Sequence, residues 1–280
     1  MATTPNRAAI LTKAHKVLKK HYTPVKPSTD RPVLETLLYA CCLENAPYNK
    51  ADDTFAKLQE MYYGWNEVRV AAATEIAEIM EGLPNPRSAA HNLKRCLQNI
   101  FETHYSFDIE SLRKQNLGKA GKQLEKYGLS QFAVGYATQS VLGGHAIPVD
   151  DAALQTLHTL GVITDEEFAK KSAPGLERAI AKSKGVEFGS LLHQLSIEFL
   201  ASPFGAKPRK ILTEIEPSAK DRMPKRASAK PAAKQKKAAE AGDRKKPAKK
   251  PAKKAAESGK TAEPRGKKSA TKRLARKKPR

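Results

Sequence analysis

The sequence predicts an all-α protein followed by a basic, unstructured tail. Three observations carry that prediction. Apolar residues recur at three- and four-residue spacing through residues 1–216. Alternating β-branched runs and hairpin dipeptides are nearly absent. The connections are short and marked by Gly or Pro, as in "GLPNPR" and "SAPG".

Taken in order, "PVLETLLYACCL" places Val33, Leu34, Leu37, Leu38, Cys41 and Cys42 on one helical face. "NEVRVAAATEIAEIMEG" is rich in helix formers and stops at Gly82. "SAAHNLKRCLQNIFETH" repeats apolar residues at Ala89, Leu93, Cys96 and Ile100. "TDEEFAKK" opens with Thr164 and Glu167 at capping-box spacing. "VEFGSLLHQLSIEFLAS" supplies a last apolar helix before Pro203. About ten helices are expected, without an internal repeat.

Charge divides the 280-residue chain. Residues 217–280 hold 25 Lys+Arg and 5 Asp+Glu, a net of +20, whereas residues 1–216 hold 26 and 24, a net of +2. The tail's large apolar residues are Met223 and Leu274 alone, too few to offset chain entropy. Clusters such as "KKPAKKPAKK" resemble linker-histone and bacterial histone-like tails. A solvated polycation gains affinity for nucleic acid by releasing condensed counterions, without reading bases.

Cys41, Cys42 and Cys96 form no CxxC pair, which fits core thiols in a reducing compartment rather than a disulfide framework. The seven histidines make no HxxxH or HxH pair. Trp65 reads as a packing anchor. With no signal peptide and no span of roughly 18 apolar residues, a soluble, intracellular protein without membrane contact is expected.

In "GGHAIPVDDAALQTL" a glycine pair and a short apolar run lead to Asp150 and Asp151 at a helix start. Asp150 is a natural N-cap, and Asp151 a first-turn acid favoured by the helix dipole. Whether Asp150 only caps or also faces a substrate stays open from the residues alone.

The order of "GLPNPRSAAHNLKRCLQNI" and "YGLSQFAVGYATQSVLGGHAIPVDDAALQTLHTLGVI" resembles the helix-hairpin-helix DNA glycosylase superfamily, endonuclease III-like members in particular. The family's "GL-x-N-x-[KR]-A" turn matches "GLPNPRS", its "GVG" hairpin matches Gly128–Ser130, and its "VD" matches Val149 and Asp150. "LLYACCLENAPYNKADDTFAKL" matches a further segment and keeps Asn49 and Lys50. The likeness covers residues 8–200 and implies a two-lobed helical domain over 1–216, its N-terminal helix packing with the C-terminal helices.

The resemblance further implies that Gly128, Leu129, Ser130 and Gln131 grip a DNA phosphate. Asn49, Lys50, Arg87, Lys207, Arg209 and Lys210 are the other candidate DNA contacts. Asp150 takes the catalytic carboxylate position, with Tyr136 as a possible contributor. Cys41 and His145 are candidate pocket residues, and no metal site is expected.

Three departures from the family pattern stand out. Its Schiff-base lysine corresponds to Phe132, which has no nucleophile. Its four cluster-binding cysteines are missing, since none follows Cys96, so no cofactor is expected. Its glutamine after "LL-x-A" corresponds to Cys41, and the hairpin's second glycine to Ser130.

The implied function is base excision repair on double-stranded DNA by a monomeric, monofunctional glycosylase in the cytoplasm at the nucleoid, or in the nucleus of a eukaryote. A non-catalytic DNA-binding protein that keeps the fold is the alternative. A helical RNA- or ribosome-associated protein is a third reading.

Overall fold

A computed structural model describes residues 7–28 and 30–225, and the tail expected from the sequence lies outside these residues beyond 225. Among the described residues there are fourteen α-helices, one 3₁₀ turn (Glu110–Lys114) and no strand. The excess over the ten expected comes from helices of four to seven residues, too short to show a 3.6-residue period.

The first core is built by α2 (Val33–Leu43), α3 (Tyr48–Met61), α4 (Trp65–Val70), α5 (Ala73–Ile79), α6 (Pro86–His104), α7 (Leu117–Lys126) and α8 (Gln131–Ser140). Helix α2 is its centre: every residue from Val33 to Leu43 except Glu35 is buried, so its apolar character extends all round. Helix α6 lays Ala90, Leu93, Leu97 and Ile100 against it. Trp65 stacks on Phe55 with centroids 5.7 Å apart, a packing contact.

The stretch expected as one helix over 66–82 is two, α4 and α5, broken at Ala71 and Ala72. The cause lies on a neighbouring helix. Lys94 of α6 donates to the carbonyls of Arg69 and Ala71, taking acceptors that a continuous helix would use.

The second core unites the N-terminal helix α1 (Arg7–His21) with α9 (Asp151–Leu160), α11 (Leu176–Ala179), α12 (Lys182–Ala201), α13 (Ala206–Ile215) and α14 (Ala219–Arg222), while the short α10 (Asp165–Ala169) lies against α9 without a buried residue of its own. Helix α12 packs along α9 and α1 through Phe188, Leu191, Leu192, Leu195 and Phe199. The capping box at α10 forms between Thr164 and Glu167.

Residues 217–225, assigned by composition to the tail, are packed on this core. Ala219 and Met223 are buried, and Arg222 Nε donates to Thr159 O at 2.9 Å. One buried methionine and one specific arginine contact are invisible to a composition count. The three thiols are buried in the first core, and burial pushes Cys42 and Cys96 up to about 12.

Candidate active site and nucleic-acid interface

Asp150 sits where the two cores meet. It is the N-cap of α9, and its Oδ1 accepts from Ala153 N at 2.8 Å. Its Oδ2 accepts from Asn45 N at 3.0 Å, a group on the α2–α3 turn of the first core. His193 of α12 brings Nδ1 to 3.3 Å from the same Oδ2, an ion-pair distance without the alignment of a hydrogen bond. Burial pushes the Asp150 carboxyl up. His193 and the N–H groups of Ala153 and Asn45 outweigh it and hold the carboxyl below the usual aspartate range. The Asp150 side chain has no exposed surface.

Asn45 completes a reciprocal clamp, because its Oδ1 accepts from Ala152 N at 3.0 Å. Its φ of 58° is in the left-handed region, which Asn tolerates better than most residues. Asp151 points away from this buried centre. It is 61% exposed at its side chain and pairs with Lys171 at 2.9 Å. The two adjacent aspartates are thus divided, one turned inward and one outward, by the N-terminal geometry of α9.

Behind Asp150 the lining is aromatic. Phe132 is buried and stacks on Tyr136 and on His193, with centroids 6.2 Å and 5.7 Å apart. Phe132, Tyr136, Tyr48, Ser190 and His193 line a small cavity of about 20 Å³. Burial, first, raises the Tyr136 hydroxyl above the ordinary phenol range.

In front lies a polar cavity of about 150 Å³, lined by Cys41, Glu44, Asn45, Asn85, Asn92 and Asp151 among others. The candidate pocket residue Cys41 therefore borders this cavity. Burial pushes the Glu44 carboxyl up, with Asp150 and Asp151 adding to the rise, against the hydrogen bond from Ser130. His145 does not join these groups. Its Nε2 faces the carbonyl oxygens of Glu177 and Ile180 at 2.9 and 2.8 Å, so the ring anchors the loop before Asp150 to α11.

The hairpin follows α7. Gly128 has φ of 76° and forms the tight turn, and Arg95 of α6 donates to its carbonyl at 2.6 Å. A Cβ at Gly128 would come within 2.9 Å of Arg95 Nε. Gly128→Ala is expected to cost about 1–2 kcal/mol from the left-handed backbone alone, besides displacing Arg95. Thermal unfolding of this variant measures the cost. Ser130 caps α8 by accepting from Ala133 N at 3.2 Å, and its hydroxyl donates to Glu44 Oε2 at 3.0 Å. Serine thus secures the turn through two contacts that glycine lacks. Leu129 is half-buried and Gln131 exposed beside it.

Asn49 and Lys50 are exposed in the first turn of α3, and Arg87 in that of α6. Near the chain's end the cations differ. Lys207 pairs with Glu198 at 2.8 Å, Arg209 donates to the carbonyls of Pro203 and Pro224, and Lys210 is exposed. Arg209 therefore fastens the 217–225 segment. Sequence reasoning missed Asn45, His193 and Arg95. Each acts on a residue more than 30 positions away, and only Asn45 has a local signal, its place in the turn after α2.

No protein-family model matches the sequence, and no curated protein matches it. A solved structure of a trapped endonuclease III–DNA covalent intermediate, an estranged-adenine complex, is similar over 71% of this chain and 86% of that chain. Its identity is 14% and its TM-score 0.51. This chain has the helix-hairpin-helix DNA glycosylase fold. A thermostable thymine-DNA glycosylase aligns over 70% of this chain and 88% of that one, at 15% identity and a TM-score of 0.48, and the fold assignment does not rest on it.

The four-cysteine iron–sulfur cluster of the family that the sequence resembles does not fit this chain. Four thiolates are required, only three cysteines exist, and all three are buried in the first core. Among the described residues no group of three or more His, Cys, Asp or Glu could hold a metal ion, and no helix is long and apolar enough to cross a membrane.

Proposed function

We propose that this protein binds double-stranded DNA and excises a damaged or mismatched base as a monofunctional glycosylase. One observation carries the reading: a carboxylate at the family-like position, Asp150, is held in its ionised form at a helix start between the two cores. An ionised carboxylate can stabilise the oxocarbenium-like sugar as the base leaves and can orient the attacking water. The hairpin at Gly128–Ser130, with Arg95 beside it, would grip the backbone while a nucleotide is extruded.

Phe132 stands where a bifunctional enzyme would have its amine. Without an amine no Schiff base forms, so strand cleavage would need added alkali. Because the Asp150 side chain is covered, productive contact requires the groups around it to part when DNA binds.

That same cover favours a second reading. Both Asp150 oxygens already have partners, and Phe132 packs against His193. A DNA-binding protein that uses Asp150 only to join its two cores would have this geometry.

Base release from duplexes carrying uracil, thymine glycol, oxidised guanine, alkylated purines or mismatches separates the two. Wild type and Asp150→Asn are compared with and without alkali. Release that is lost in the variant and needs alkali for strand scission supports the glycosylase. Absence of release from every duplex, with salt-sensitive binding retained, establishes the binder.

A further inference from the structure

We infer that the His193 ring carries a proton on both nitrogens and is the positioning residue for Asp150. Its part in base release rests on the function proposed above, whereas its protonation does not.

The hydrogen bookkeeping of the ring leads there. Nε2 lies 2.8 Å from Ala46 O. A carbonyl oxygen only accepts, so Nε2 carries a hydrogen. Nδ1 then faces Asp150 Oδ2 at 3.3 Å and has no hydrogen-bond partner of its own. In a neutral ring, Nδ1 would turn a lone pair toward a carboxylate with no access to water. A proton on Nδ1 converts that opposition into an ion pair. With the imidazole 5% and the carboxylate 0% exposed, little solvent screens the difference.

The surroundings ask for a cation. Two further carboxylates, Glu44 and Asp151, act on the same region, and Lys171 is engaged by Asp151. At position 132 a phenylalanine supplies no charge, but its ring face covers the imidazole at 5.7 Å and 28°. That is within the distance at which an aromatic face attracts a cation.

The titratable groups around the ring are Asp150 before α9, Tyr48 of α3 at 5.1 Å, Tyr136 of α8 across the small cavity, and Glu198 along α12. Among these groups His193 is the one that can be a cation. It also joins the cores, since Ala46 belongs to the first and His193 to the second. The same ring thus touches the α2–α3 turn and, with the N–H groups of Ala153 and Asn45, helps hold the Asp150 carboxyl low.

Nitrogen NMR of the full-length protein with labelled histidine reads the ring directly. Near neutral pH both His193 nitrogens are expected at imidazolium shifts, assigned by comparison with His193→Gln. A ring with Nε2 protonated and Nδ1 bare overturns the inference. For the positioning role, His193→Phe keeps a ring and removes the charge, and His193→Gln keeps a donor. Both should lower kcat for base release roughly 10- to 100-fold, the scale of one charge-assisted contact. KM should stay within about twofold, and the alkaline side of the pH–rate profile should change shape. A lowered Tm with kcat and the pH profile unchanged would mean a structural residue only. If His193→Phe does not fold, the glutamine variant and the wild-type spectrum still decide. A wild type that releases no base defeats the proposed function and the positioning role together, and the NMR result then stands for the ring alone.

Discussion

Replacing Asp150 by alanine should lower stability by about 3–5 kcal/mol, the range for removing one member of a buried charged set. The substitution leaves Ala153 N–H and Asn45 N–H without their acceptor, and the His193 ring without the carboxylate it faces, in a place water does not reach. Asparagine is the informative comparison. As a simple N-cap it would cost almost nothing, because Asn caps helices as well as Asp does. Here two oxygens accept, and an asparagine amide has only one. Its NH₂ would face the Asn45 N–H and the His193 ring as a third donor. Asp150→Asn is therefore expected to cost about 1–3 kcal/mol, as an unsatisfied buried group does. Urea unfolding of wild type and both variants measures the set. A cost near zero for Asn would reduce Asp150 to a cap and remove its role in joining the cores.

The pH dependence follows from the same contacts. The native carboxyl is held below the ordinary aspartate value of about 3.9. Its stabilising contribution is complete above that value and is lost as pH falls through the lower native one. Acid unfolding of Asp150→Asn should accordingly show a weaker pH dependence than wild type.

Removing residues 226–280 should weaken DNA binding by roughly 10³-fold at about 50 mM salt and flatten the dependence of affinity on salt. The deleted stretch holds 22 Lys+Arg against 4 Asp+Glu. Each phosphate neutralised contributes about 0.9 to the slope of log affinity against log salt, and the nearly neutral body offers few comparable contacts. The cut is placed after Lys225 because Ala219, Arg222 and Met223 belong to the second core. A cut at 217 would mix loss of charge with loss of packing. Fluorescence anisotropy with an arbitrary duplex across a salt series reads both quantities. Unchanged affinity and slope would remove the tail from DNA binding.

The helices were legible where a long apolar period runs uninterrupted, as in α2, α6 and α12. Short elements were not, because four or five residues carry no period. The α4–α5 break was hidden for a different reason: the residues there favour helix, and a lysine on α6 overrides them through two carbonyls. The hairpin and Asp150 were legible as an ordered pattern, but the local sequence at Asp150 is equally that of a helix cap. Lys207 and Arg209 looked like free surface cations, and the fold engages both within the body.

By itself, the sequence determined the helical class, the split between a neutral body and a polycationic end, and the lack of enough thiols for a four-cysteine cluster. These are properties of composition and local period, which do not depend on what packs against what. Only the tertiary structure decided that Asp150 is turned inward while Asp151 faces out. It also decided that Asn45 and His193 surround the carboxylate from two cores, and that Phe132 lies over the imidazole. Those facts depend on residues far apart in the chain meeting at one point, Asn45 being 105 positions and His193 43 positions from Asp150. Such meetings follow from how whole helices pack, and no local spacing records them.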